Sequence, residues 1–191
     1  MTKVWFSLLL ALSSLMWGAS AAFAKETLDL IVLETLPVPI VADSRAEFEK
    51  ELARIMPDHE INVTSYNAEG SEVRAKEILT ELAKNPAPDL IVSVATLATR
   101  ALNASEAFVD VPKLFMAVSA PVEEGIVSAI GAVSERNMTG ESHVLDAKVK
   151  LDMLEGVLRA SKPSSLFTIG LVHSTYPSSS NLVNQLLALN D

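Results

Sequence analysis

The stretch PDLIVSVATLATRAL, residues 88–102, decides the fold. Its DLIVSVA segment (89–95) is a nearly continuous apolar run with β-branched members, the pattern of a strand buried on both faces of a parallel sheet. At Thr96 the run gives way to a helical pattern that continues to about Ala104. A strand feeding straight into a helix is one step of a βαβ succession.

The same step recurs in both directions. Upstream, LDLIVLET (28–35) reads as a first buried strand, followed by a proline-containing loop. A helix with Asp43 or Ser44 as N-cap comes next, with Phe48, Leu52 and Ile55 on one face, stopped by Pro57. EINVTSY (60–66) alternates and suits a strand nearer the sheet edge. Turn chemistry at 67–70 leads to Ser71, the expected cap of a helix with Val73, Ile78, Leu79 and Leu82 facing inward. Downstream, PKLFMAV (112–118) makes a fourth strand. Beyond it lie a short piece around 137–140, a helix over about 146–160, an apolar strand at 166–172 and a helix over 181–189. The succession predicts an α/β fold with a doubly wound parallel sheet and right-handed crossovers, in which ligands bind at the carboxyl ends of the strands.

The amino terminus has a different character. Lys3 precedes an apolar stretch (4–17) and small residues (18–22), the three-part layout of a secretory signal. Ala22 and Ala24 flank Phe23, so cleavage is expected between Ala24 and Lys25, placing the mature protein in the periplasm. The apolar core is shorter than the roughly 20 residues of a membrane span, so no stable membrane insertion is expected after cleavage.

Composition removes several classes of function. The chain has no cysteine, which excludes disulfides, thiolate metal sites and a lipid-attachment cysteine. Its net charge of −9 gives no electrostatic basis for binding nucleic acid. His59, His143 and His173 lack metal-ligand spacing, and no P-loop, G-x-S-x-G or G-x-G-x-x-G occurs. The reading therefore calls for no metal, no cofactor and no enzymatic activity.

Four segments, NAEGS (67–71), PDLIVSVATLATRAL (88–102), VPKLFMAVSAPVEEGIV (111–127) and NMTG (137–140), resemble ABC-transporter substrate-binding proteins of the tryptophan-binding TrpX type. The likeness continues more loosely through FTIGLVHSTYPSSSN (167–181). It implies a type I periplasmic-binding-protein fold: signal peptide at 1–24, a first ligand-binding lobe at 25–140 and the start of an incomplete second lobe at 141–191. It also implies a small organic ligand, such as an amino acid, and an ABC permease of the inner membrane as partner. The chain departs from the family at Ala120, where an acidic residue usually precedes the proline, and in the 34–44 loop, which lacks the usual histidine-proline character. A periplasmic ligand-sensing module for a membrane signalling protein, or a non-functional truncated fragment, are the alternative readings.

The expected ligand-binding residues follow from the strand ends. Thr96 and Leu97 open a helix whose free amides suit a ligand carboxylate, although the Thr96 hydroxyl equally suits an ordinary N-cap. Glu34 and Thr35 close the first strand, and Ser119 and Ala120 the fourth, rimming the same crevice. Glu34 is placed to meet a ligand amine, or stands as a solvated loop carboxylate. Tyr176 offers a ring to an organic ligand, or is an exposed loop tyrosine. Gly125, Gly131 and Gly140 lie where a hinge would be needed, and serve equally as plain turn glycines.

Overall fold

The computed structural model describes residues 25–132, 134, 136–142, 145, 147–161, 166–175 and 177–189; the expected signal segment 1–24, His143 and Tyr176 lie outside them. Within these bounds five parallel strands form one sheet: β1 (Glu26–Glu34), β2 (His59–Asn67), β3 (Leu90–Val94), β4 (Lys113–Val118) and β5 (Met138–Ser142), in the order β2-β1-β3-β4-β5. The helices are α1 (Pro39–Ile55), α2 (Glu72–Leu82), α3 (Thr96–Asn103), α4 (Ala147–Ser161) and α5 (Pro177–Ala188), with a 3-10 turn at Glu106–Phe108.

Alternation along the strands sorts the core into two layers, because successive side chains point to opposite faces. On one face Leu33, Ile91 and Phe115 meet Ala75, Ile78, Leu79 and Leu82 of α2 and Ala98, Ala101 and Leu102 of α3. On the other, Val32, Val92 and Val94 pack with Val41 of α1, and Phe48 lies half-buried against them. The sheet is thus covered on both sides, as a parallel sheet requires. The edge position expected for the second strand is also seen.

Several local expectations are corrected. Helix α1 begins four residues before Asp43: Pro39 occupies its first turn, where the missing amide costs nothing, and Val38 is the cap residue. Ser44 lies inside the helix and donates its hydroxyl to the Ile40 carbonyl at 2.7 Å. Ile55, in the last turn of the helix, is 57% exposed and does not join the buried face. Val73 is exposed because it lies off the face of Ala75, Ile78, Leu79 and Leu82. Ser71 does cap α2, accepting the Arg74 amide at 3.2 Å.

The short piece near 137–140 is a fifth parallel strand, and Gly140 belongs to it rather than to a hinge or turn. A Cβ there would stand 2.1 Å from the Phe115 carbonyl oxygen, so glycine is what lets β5 approach β4. The apolar segment 166–172 is not a strand. A strand is defined by its partner, and this segment has none among the described residues. Phe167, Ile169 and Leu171 instead line a pocket between α4 and α5 with Leu151, Leu154 and Leu186, while Leu166 and Val172 point fully outward. Helix α5 starts at Pro177, four residues earlier than its apolar pattern indicates.

Candidate functional site

Strands β1 and β3 are neighbours whose crossovers leave in opposite directions along the sheet, so a crevice opens above their carboxyl ends. Thr35, immediately after β1, spans it: its hydroxyl donates to the Val94 carbonyl at 3.0 Å and accepts the Ala98 amide at 3.0 Å. The capping function expected of Thr96 is therefore performed by Thr35 from another strand. Ala95 is the cap residue of α3, with φ of 69° and no side-chain cap bond. Thr96 follows it, and its hydroxyl accepts the Ser119 amide at 3.3 Å, tying the end of β4 to the start of α3. Leu97 is half-buried against the main core. Its amide and that of Thr96 have no hydrogen-bond partner among the described residues. Thr35→Val, which removes both hydroxyl bonds at similar volume, is expected to destabilise the chain by about 1–2 kcal/mol in urea denaturation.

Glu34 is neither solvated nor open to a ligand. It is 8% exposed, and its carboxylate accepts Arg45 Nε at 2.7 Å, while the Arg45 guanidinium also reaches Glu49 at 3.0 Å. Arg45 lies one turn beyond Val41 on the sheet-facing side of α1, which carries it to the end of β1. Glu34 thereby fastens α1 to the crevice rim.

Ser119 and Ala120 lead into a turn in which Glu123 and Glu124 diverge. The Glu124 side chain is fully buried, with Arg100 of α3 at 3.6 Å; Arg100 also lies 3.8 Å from Glu72 at the start of α2. A hydrogen bond from Lys76, with Arg100 adding its charge, holds the Glu72 carboxyl below the usual glutamate value. Glu123 points the other way and accepts the Asn181 side-chain amide of α5 at 2.9 Å. A cleft of about 260 Å³ results, walled by Ser119, Ala120 and Glu123 on one side and Lys150, Asn181 and Gln185 on the other.

The structure thus sets Thr35 and Thr96 at the start of α3, the first bonded to the Ala98 amide and the second to the Ser119 amide, and puts Ser119 and Ala120 on the cleft wall. Glu34 is held to one side by Arg45. Tyr176 lies outside the described residues. Glu123, Lys150 and Asn181 were not singled out from the sequence; Glu123 sits within the quoted VPKLFMAVSAPVEEGIV, but only the turn separates it from its neighbour Glu124. The backbone at the strand ends is also unusual. Ala95, Ala117 and Ala120 all have positive φ (69°, 55° and 61°), and the β4–β5 register shifts between Phe115 and Val118. Non-glycine residues held at positive φ cost of order 1–3 kcal/mol each and concentrate at functional sites.

Chemically the cleft offers carboxylate, ammonium, hydroxyl and carboxamide groups, which bind and orient a polar molecule. Among the described residues no group of three His, Asp or Glu side chains is arranged to hold a metal ion. No helix among them is long and apolar enough to cross a membrane.

No protein-family model and no characterised protein sequence matches the chain. Solved structures do, and they show the fold: a five-stranded parallel α/β unit consistent with one lobe of a periplasmic-binding-protein fold. One is an ABC domain from Streptococcus pneumoniae in complex with L-Trp, with a TM-score of 0.71 and 24% identity. A conserved domain protein from Vibrio cholerae has a TM-score of 0.68 and 21% identity. For both, the match covers 85% of this chain and 53% of the other. The ligand-free, open structure of a Clostridium difficile substrate binding protein with adhesive properties matches at a TM-score of 0.54 and 21% identity, over 85% of this chain and 61% of that one. The chain therefore spans about half the length of the first two structures.

Proposed function

We propose that this protein is the solute-binding component of an ABC importer, exported by its leader and cut after Ala24, that captures a small organic ligand such as an amino acid and passes it to an inner-membrane permease. The observation that carries the reading is the polar cleft at the carboxyl ends of the strands, walled by Ser119 and Ala120 and faced by α5. Ligands of open α/β sheets bind in that position. The likeness to substrate-binding proteins supports it. In this reading residues 25–140 are the first lobe and 141–191 the beginning of the second, with the ligand held where they meet. Thr96, Leu97, Ser119 and Ala120 furnish the contacts, the Thr96 and Leu97 amides being free to meet a ligand carboxylate, Thr35 holds the start of α3 in place, and Tyr176 offers its ring to the ligand.

Thermal-shift measurements on residues 25–191 against the L-amino acids test the proposal, because a ligand that binds the native state must raise its melting temperature. A shift with one chemical class is the expected result. Thr96→Ala releases the Ser119 amide from its acceptor and is expected to weaken that binding by about threefold to tenfold. Cooperative melting with no shift across the panel would count against solute binding by this chain.

A further inference from the structure

We infer that Glu123 and Lys150 are the charge-selecting residues of the cleft, Glu123 receiving a ligand's ammonium group and Lys150 its anionic group. The inference rests on reading the cleft as the ligand site. Two of the carboxylates near the ends of β1 and β4 are committed elsewhere. Glu34 is buried and paired with Arg45 at 2.7 Å, and the Glu124 side chain is buried with Arg100 at 3.6 Å. Glu123 is exposed, and among the described residues it makes no ion pair. Its contact is the Asn181 carboxamide at 2.9 Å, a neutral donor that engages one oxygen of a carboxylate lining the cleft and leaves its charge uncompensated.

Lys150 lies on α4, half-buried, and also makes no ion pair among the described residues. Nearby lysines behave differently: Lys148, two residues earlier, is paired with Asp152 at 2.6 Å. A glutamate and a lysine therefore line one cleft of about 260 Å³ without meeting each other. Two opposite charges kept apart across a small cavity are complementary to a molecule carrying both signs. Ser119 and Ala120, beside Glu123 on its wall, are neutral, so the charges of Glu123 and Lys150 set the orientation. Lys150 further borders the apolar pocket of Leu151, Leu154 and Leu186, so the anionic end of the ligand would lie nearest that apolar surface.

The test uses the full chain expressed with its own leader, titrated calorimetrically with L-tryptophan, L-leucine and L-tyrosine. Each is paired with its deaminated counterpart: indole-3-propionate, 4-methylpentanoate and 3-(4-hydroxyphenyl)propionate. The wild type is expected to bind at least one amino acid and to bind its deaminated counterpart about tenfold to a hundredfold more weakly, the usual weight of a charged hydrogen bond. Glu123→Gln keeps an acceptor for Asn181 and removes the charge; it should lose that discrimination while melting as the wild type does. Lys150→Met should weaken both members of a pair alike, and Glu123→Asp should retain part of the preference. Equal binding of amino acid and counterpart by the wild type, or unchanged discrimination in Glu123→Gln, overturns the inference and leaves the solute-binding reading standing. No binding of any of the six compounds by the wild type overturns both.

Discussion

Lys113→Met is expected to lower the stability of the chain by about 3–5 kcal/mol, read as a fall in the urea midpoint with little change in slope. Lys113 opens β4 and is 2% exposed. Its ammonium donates to the carbonyls of Phe108, Val109 (3.2 Å) and Val111 (2.8 Å), gathering the 3-10 turn around itself. No carboxylate forms an ion pair with it among the described residues, so the three carbonyl dipoles are its direct hydrogen-bond compensation for burying the charge. Methionine matches the length of the stem but supplies no donor, leaving the Val109 and Val111 carbonyls without their donor and Phe108 with the Val111 amide alone. The turn they belong to carries Phe108, itself a core residue, so loosening it opens the main hydrophobic layer. A methionine variant as stable as the wild type would show that the turn satisfies its carbonyls in another way.

The same lysine gives a pH dependence of definite sign. Burial, reinforced by the charge of Arg136 and opposed by Asp110, holds its pKa below the ordinary 10.5. Between that lowered value and 10.5 the unfolded chain binds a proton that the folded chain has released, so the Lys113 contribution to stability rises with pH there and is flat below. The stability difference between wild type and Lys113→Met is therefore expected to widen at alkaline pH.

The second large effect is at Gly140. Gly140→Ala places a methyl group 2.1 Å from the Phe115 carbonyl oxygen and 2.5 Å from its ring, distances that side-chain rotation alone cannot relieve because one of the atoms is backbone. Phe115 and Gly140 are partners in the β4–β5 register, and Phe115 is 3% exposed, so neither strand can yield without loss of pairing or of core packing. The expected cost is about 3 kcal/mol. Since β5 is an edge strand, the damage should be local. Hydrogen exchange should show the amides of residues 138–142 losing protection while those of β1 and β3 keep theirs. Native-like exchange of β5 in the alanine variant would mean that the two strands separate at no cost.

Much of the architecture is legible in the chain itself. The runs at 28–35, 89–95 and 112–118 are apolar and β-branched without alternation, a pattern whose stable arrangement is a sheet covered on both faces. The alternating segment 60–66 belongs at an edge, and it is there. Ser71 is recognisable as a cap because its partner, the Arg74 amide, lies three residues away. Each of these readings depends only on neighbours within a turn or a strand's length.

What only the tertiary structure decides are the properties that depend on a distant partner. Segment 166–172 has the composition of a strand and is not one, since hydrogen bonding across a ladder is a property of two segments. NMTG reads only as a short piece of no assigned type and becomes β5 because Gly140 can lie against Phe115. The polar side chains at the strand ends are assigned in the same way. Thr35 caps a helix whose amide is 63 residues away, Glu34 is taken up by Arg45, and Glu123 faces the cleft while its neighbour Glu124 is buried with Arg100. Hydrophobic periodicity determines which elements form and which faces they bury. Which carboxylate is paired and which is left open to a ligand is set by long-range geometry, on which that periodicity is silent.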